Sequence, residues 1–495
     1  MMFYLENKRQ ITIRCLEITT PNIWCGLLFF LAVGLAGKVC AENTSSGPII
    51  DRFPLTLDAG TRTEAAGPFY YSQQKETETT WAIPPFYSCH RDLAVASHED
   101  DFLYPFLSEM RYGQERRWQL FQLISTAGGA EQNGATKRRV TIFPLYFSQR
   151  STDTNLNYTA VVPFYGRLKN RLFHDEIFFV MFPFYAETRK RGVVTENYFY
   201  PFGATSRGDH LRGWQVWPFV GREHRDVTTH TNGFGDVETA GGHDKSFYLW
   251  PLHLKQDTGL GTTNAQQLRA SIPLYVYSRS AQRDSTSVLW PFFTWLDNRE
   301  KKYHEWDGPW PFVIFARGEG KTTSRVWPLF SESHNAVTES DSYCWPVWQY
   351  HRFHADALDQ RRTQVLFYLY SRLAEKNTET GREKVRLEMW PFFEWHRDFA
   401  GSEKLQVLAL LEPFVPENRG IERNWSPLWS FWRAEDNAKT GASSRSLLWN
   451  LYRRDVTPGG KKVSLLFGLF QYQSAGGTAQ TRWFYWPVAK TGPRR

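Results

Sequence analysis

Trp390-Pro391-Phe392-Phe393-Glu394-Trp395-His396-Arg397-Asp398 is the stretch on which the reading of this chain turns. Reduced to residue types it runs aromatic, Pro, apolar, aromatic, any, aromatic, any, Arg. Relatives of it recur as Trp290-Pro291-Phe292-Phe293-Thr294-Trp295, Trp310-Pro311-Phe312-Val313-Ile314-Phe315, Trp345-Pro346-Val347-Trp348-Gln349-Tyr350-His351-Arg352 and Ile272-Pro273-Leu274-Tyr275-Val276-Tyr277-Ser278-Arg279. The motif prolines begin at Pro68 and Pro85 and continue through Pro427 and Pro487. Their steps are about 20 residues or close to two such steps, a period that marks a repeat architecture. Copies without Pro fill the gaps, as in Val365-Leu366-Phe367-Tyr368-Leu369-Tyr370-Ser371-Arg372 and Leu448-Trp449-Asn450-Leu451-Tyr452-Arg453.

Side chains on a strand alternate between two faces. In the copy at Pro391 one face carries Phe393, Trp395 and Arg397, and the other Phe392, Glu394 and His396. At Pro346 the division is Trp348, Tyr350 and Arg352 against Val347, Gln349 and His351. At Pro427 it is Trp429, Phe431 and Arg433 against Leu428, Ser430 and Trp432, and near the end Leu447, Trp449 and Leu451 oppose Ser446, Leu448 and Asn450. One face is therefore aromatic and the other mixed. The expected aromatic belt comprises Trp295, Phe315, Trp348, Tyr350, Trp395, Trp429 and Trp449. The expected polar, wetted face comprises Glu394, His396, Gln349, His351, Ser430 and Asn450.

Composition agrees with pleated surfaces. Aromatics are 16% of 495 residues while all hydrophobics reach only 41%, so flat rings suited to cross-strand pairing carry the apolar content. Gly-rich punctuation such as Arg317-Gly318-Glu319-Gly320-Lys321 and Ser474-Ala475-Gly476-Gly477 separates the copies and supplies the positive φ of tight reversals. The fold class read from this is all-β: a repetitive antiparallel up-and-down meander of about 20 strands, closed as a β-barrel because open twisted sheets rarely exceed about ten strands. The recurrent Pro resists that picture, since it removes a ladder donor from a paired strand. The alternative is a β-propeller or solenoid of short strands broken at each Pro. Arg116–Ser125 is the best helical candidate, and Ala127–Lys137 and Asp226–Lys245 read as long connecting loops.

The chain divides into a signal peptide over 1–41, a mobile lead-in over 42–66 and the aromatic–Pro repeat domain over 67–490. Lys8, Arg9 and Arg14 precede an apolar run from Trp24 to Ala36, too short for a spanning helix of about 20 residues and patterned as a secretory signal. Of five cysteines only Cys89 and Cys344 follow the signal, either as one disulfide or as two thiols.

Chemistry-bearing motifs are few. Gly318-Glu319-Gly320-Lys321-Thr322-Thr323 lacks the upstream Gly of a phosphate loop, since Phe315 stands there, and reads as a hairpin. His351 and His354 have no third ligand nearby, so no metal, cofactor or catalytic residue is expected. The net charge of +8 is scattered, which with export excludes nucleic acid as a partner. The leading expectation is a non-enzymatic outer-membrane β-barrel, a pore or structural envelope component with lipid as its partner. The alternative is a secreted or periplasmic module that binds polysaccharide or protein through aromatic platforms.

Overall fold

The computed structural model describes residues 49–130, 136–231 and 237–491. The expected signal, 1–41, and the first part of the expected lead-in lie outside them. Nearly all described strands belong to one sheet of 43 strands, in which each strand pairs antiparallel with the next in sequence. The meander is thus present, with about twice the expected number of strands. Most strands hold six residues and the longest eight, as in Arg283–Val288 and Trp348–Ala355.

The doubling has a local cause. Most of the motif prolines sit in turns, so a repeat read as one long strand is two short ones; Pro427, in a helix, and Pro487, inside the paired strand Trp486–Thr491, are exceptions. Strands Arg283–Val288 and Phe293–Asn298 are joined by Leu289-Trp290-Pro291-Phe292, where the Trp290–Pro291 peptide is cis and Leu289 is left-handed at φ 49°. The Phe292 amide donates to the Leu289 carbonyl at 2.9 Å, giving a four-residue reversal with cis-Pro at its third position. Fifteen such X–Pro bonds are cis among the described residues. A Pro at that position has no ladder hydrogen bond to lose, which removes the objection to proline within the repeat. The Pro-free copy Leu366-Phe367-Tyr368-Leu369 reverses by placing Leu366 and Phe367 at φ 47° and 61°.

The intervening reversals are of another kind. Gly318 pairs with Lys321 across Glu319-Gly320, and Gly320 takes φ 77° with open space around it. The strands therefore run between two unlike margins: one of aromatic cis-Pro turns, the other of mostly polar hairpins. Successive turns of the aromatic margin bond to each other through the backbone. The amides of Trp217, Leu289 and Trp327 donate to the carbonyls of Phe202, Leu274 and Phe312 at 2.5, 2.8 and 2.7 Å.

Among the described residues no barrel is closed by strand pairing. Asp51–Pro54 pairs with Gly60–Ala65 alone and Trp486–Thr491 with Thr478–Trp483 alone. The early and late strands meet instead through side chains. The Arg433 guanidinium donates to both Glu64 oxygens at 3.0 and 3.2 Å, Asn450 Nδ2 donates to Glu64 at 2.7 Å, and Tyr71 Oη donates to the Arg423 carbonyl at 3.0 Å.

Other expectations are revised. The lead-in already contains two paired strands, Asp51–Pro54 and Gly60–Ala65. Arg116–Ser125 is not helical: it falls in strands Glu115–Leu120 and Ile124–Ala130 and the left-handed turn 121–123 between them, the strands being paired on both sides, and continuity of the ladder outweighs local propensity. The loop Asp226–Lys245 holds the small hairpin Thr228–Thr231 with Val237–Ala240, and the start of strand Gly242–Tyr248. Conversely, the copy at Pro427 is not a strand. Helix α1, Arg419–Asn424, is capped by the Asn418 side chain, and helix α2, Ser426–Trp429, has Pro427 in its first turn, where a missing N–H costs nothing.

Candidate functional site

The two faces read from sequence can be followed across the sheet. Directly paired residues share a face, and Trp295, Trp306, Phe315, Ser324, Glu332, Asp341 and Tyr350 form one unbroken cross-strand row. The row goes on through Thr363, Arg372 and Leu387 to Trp395. Trp348 lies two residues from Tyr350 on the same strand, its ring stacked on the tyrosine at 6.1 Å. Five of the expected belt residues thus share one face.

Trp429 and Trp449 do not join them. Trp429 is in α2, and Trp449 is in a left-handed turn with φ 51°. The helix also shifts the phase of the following strand by one residue. Trp432 enters the aromatic face and Arg433 pairs with Gln406 on the polar one, the reverse of the sequence reading, because a single-residue slip exchanges the faces.

The polar face carries Gln349, Gln364, Ser371, Glu388, Glu394 and Gln406 in one row, with His351 and His396 in the row beside it. It is not uniformly wet. Glu394, Ser430 and Asn450 are buried, while His351 is exposed. The cover is residues 412–431, which fold back over this face. Glu412 accepts from Gln406, Ser426 and Trp429 at 2.9, 2.5 and 3.0 Å, and Arg423 reaches Asp101 at 2.8 Å and Glu99 at 2.9 Å.

Electrostatics follow this burial. Burial alone would raise the Glu64 carboxyl, but Arg433, Arg62 and Arg453 around it outweigh that and hold it at about 2. Glu388 goes the other way: burial pushes it up to about 7, with Arg386 only partly offsetting the effect. Asp307 is likewise raised to about 6 by burial and by neighbouring Glu305.

Two arrangements have the makings of a site. On the aromatic face, Trp306 and Phe315 stack with planes 11° apart and ring centres at 5.9 Å. With Trp295 they floor an open cleft of about 570 Å³, rimmed by Arg279, Asp284, Asp297, His304 and Arg317. Flat rings next to forked donors and carboxylates suit a ligand with an apolar ring face and hydroxyls around its edge. The second arrangement is the cis-Pro margin. Trp290, Trp310, Trp327 and Trp345 are each 38–44% exposed, and Trp327 and Trp345 lie 5.5 Å apart. Exposed Leu, Phe and Val side chains of the same turns lengthen the apolar edge.

Among the described residues, two groups of side chains have metal-binding donors: Cys89 with His98 and Asp100, and Glu388 with Glu394 and His396. In the second group Arg386 Nε lies 3.3 Å from His396 Nε2 and 3.4 Å from Glu388 Oε1, so a guanidinium already stands where a cation would. The first group escaped sequence reading because a Cys-x8-His-x-Asp spacing matches no metal motif until two strands are paired. Cys89, buried, and Cys344, exposed, are both free thiols. Among the described residues no helix is long and apolar enough to cross a membrane, which says nothing about strands. No protein-family model matches the chain, and no curated protein matches it.

Proposed function

We propose that this protein is an exported, non-enzymatic envelope component that seats its cis-Pro margin on a lipid surface, with the outer membrane as its location. The observation that carries the reading is the segregation of the two margins. Nearly every second reversal among the described residues, always at the same end of the strands, presents Trp, Phe, Tyr or Leu to solvent, the half-buried turn at 448–451 being an exception, and the opposite reversals are mostly polar. An exposed apolar tract of this length marks an interaction surface, and indole and phenol rings are the side chains that favour the water–lipid boundary.

Strand length argues for seating over spanning. Six residues reach about 20 Å at about 3.3 Å each, whereas a transmembrane strand needs about 9–11. A pore formed by closure would also need the outermost strands to pair with each other. Lipid therefore remains the partner, met at one margin of the sheet.

Flotation with phosphatidylethanolamine–phosphatidylglycerol vesicles tests this. The protein is expected to rise with the vesicles and its tryptophan emission to shift to shorter wavelength. Replacing Trp290, Trp310, Trp327 and Trp345 together by Ser should reduce flotation at least tenfold without changing the β-type circular dichroism. A wild-type protein that stays in the dense fraction would end the reading.

A second reading, polysaccharide binding, rests on the Trp295–Trp306–Phe315 cleft. Its test is retardation in gels containing soluble glycans, where Trp306→Ala should abolish retardation and leave flotation untouched.

A further inference from the structure

Strands Tyr87–Asp92 and Ser97–Phe102 are adjacent, and Cys89 and Asp100 are directly opposite each other across them. His98 precedes Asp100 by two positions and so shares its face. The donor atoms of Cys89, His98 and Asp100 all lie within 4.8 Å of one another, and His98 Nε2 is 2.5 Å from Asp100 Oδ2. Sulfur, nitrogen and oxygen are thereby brought together on a rigid paired ladder.

We propose that Cys89 Sγ, His98 Nε2 and Asp100 Oδ2 form a three-ligand zinc site, with water in the fourth position. The donor chemistry is that of a borderline-soft divalent ion: a thiolate excludes magnesium and calcium, and the mixed set suits tetrahedral zinc. Bond lengths of about 2.0–2.3 Å place tetrahedral donors about 3.3–3.8 Å apart, so donors now as much as 4.8 Å apart draw in by about an ångström, while His98 Nε2 and Asp100 Oδ2, at 2.5 Å, move apart by about as much. Their surroundings favour this. Tyr87 Oη donates to Asp100 Oδ1 at 2.5 Å, occupying one carboxylate oxygen and aiming the other inward, a common outer-shell arrangement at metal sites.

Binding rearranges two protons. The thiol proton leaves to water as the Zn–S bond forms. Arg91 Nε now donates to His98 Nδ1 at 3.0 Å, which keeps the imidazole proton on Nε2. That proton moves to Nδ1 when Nε2 takes the metal, and Arg91, whose side chain is exposed, turns away.

Cobalt and zinc titrations of the reduced, chelator-stripped full chain test the site. Because the chain has five cysteines, the decisive quantity is the difference between wild type and Cys89→Ser, with Cys344→Ser as the control. One tightly held equivalent is expected, with a thiolate-to-cobalt charge-transfer band in wild type and Cys344→Ser that Cys89→Ser lacks. His98→Gln and Asp100→Asn should keep the band and weaken binding at least tenfold, which reads the site even where the buried Cys89 substitution impairs folding. Zinc affinity equal in wild type, His98→Gln and Asp100→Asn would overturn the proposal, as would a cobalt complex without the thiolate band.

Discussion

Glu64 and Glu388 lie on the same face of the sheet with their carboxyls shifted in opposite directions. Glu64 is ringed by arginines and held at about 2 against a normal 4.5. Its folded pKa is below its unfolded one, so it contributes stability at pH values above 4.5 and loses that contribution as pH falls from 4.5 towards 2. The shift corresponds to about 3 kcal/mol. Glu64→Gln should therefore lower the urea midpoint at pH 7, where it strands Arg433 beside Arg62 and Arg453, and the gap to wild type should close as the pH approaches 2. Glu388, raised to about 7, has the reverse sign. The unfolded chain ionises above pH 4.5 while the folded one resists until about 7, so wild type is penalised progressively across that window. Glu388→Gln is expected to raise the melting temperature at pH 8 and leave it unchanged at pH 4. Equal shifts at both pH values would mean that the carboxyl is not held neutral.

At the scale of the strand, small residues set how closely the polar face can be covered. Gly166 pairs with Ala160 in the ladder, and a Cβ on it would lie 2.2 Å from Ala160 Cα and 3.1 Å from the Phe179 ring. Ala160 and Phe179 are both buried, so neither can yield cheaply. Gly166→Ala should cost about 1–3 kcal/mol as an overpacked core, measured by urea denaturation. Gly320, in a polar hairpin, is different: nothing stands within 4 Å of its added Cβ, and Gly320→Ala should cost only the φ penalty of about 1 kcal/mol. The contrast also explains how much of the element structure could be read in advance. Period-two alternation made the two faces legible, and Tyr350 and Trp395, far apart in the chain, do share a row. Strand number is less legible: aromatic–Pro reads either as the middle of a long strand, which gives about 20, or as a break between short ones, and the sheet of 43 strands follows the second reading. Trp429 and Trp449 were misplaced for a related reason. Apolar alternation looks the same in a strand, a one-turn helix started by Pro427 and a left-handed turn through Leu448, Trp449 and Asn450, and only tertiary pairing separates them. The Cys89 cluster was invisible on the same ground, since its donors come together only when the register of two strands is fixed.

Across the whole molecule, the question is what a sheet of 43 strands does with its ends. A pairing-closed barrel would answer it with backbone hydrogen bonds. Here the answer is a side-chain seam, in which α1 and the strands after it meet the polar face of the first strands. Its centre is Arg423, buried, with Nη2 at 2.8 Å from Asp101 Oδ2 and 2.9 Å from Glu99 Oε1, while Asn424 Nδ2 also reaches Asp101 at 3.3 Å. Asp101 is itself fully buried and is raised by that burial despite the arginine, so it depends on this one partner for charge compensation. Arg423→Met leaves the carboxylate without a cation and should cost about 3–5 kcal/mol, whereas the double variant Arg423→Met with Asp101→Asn should recover much of the loss. Proteolysis adds the spatial test. If the seam holds the ends together, Arg423→Met should speed cleavage in both 51–112 and 412–457 while strands 266–343 keep wild-type protection. A variant that loosens uniformly along the chain would show that the ribbon is held by its ladder alone and that the meeting of its ends is incidental.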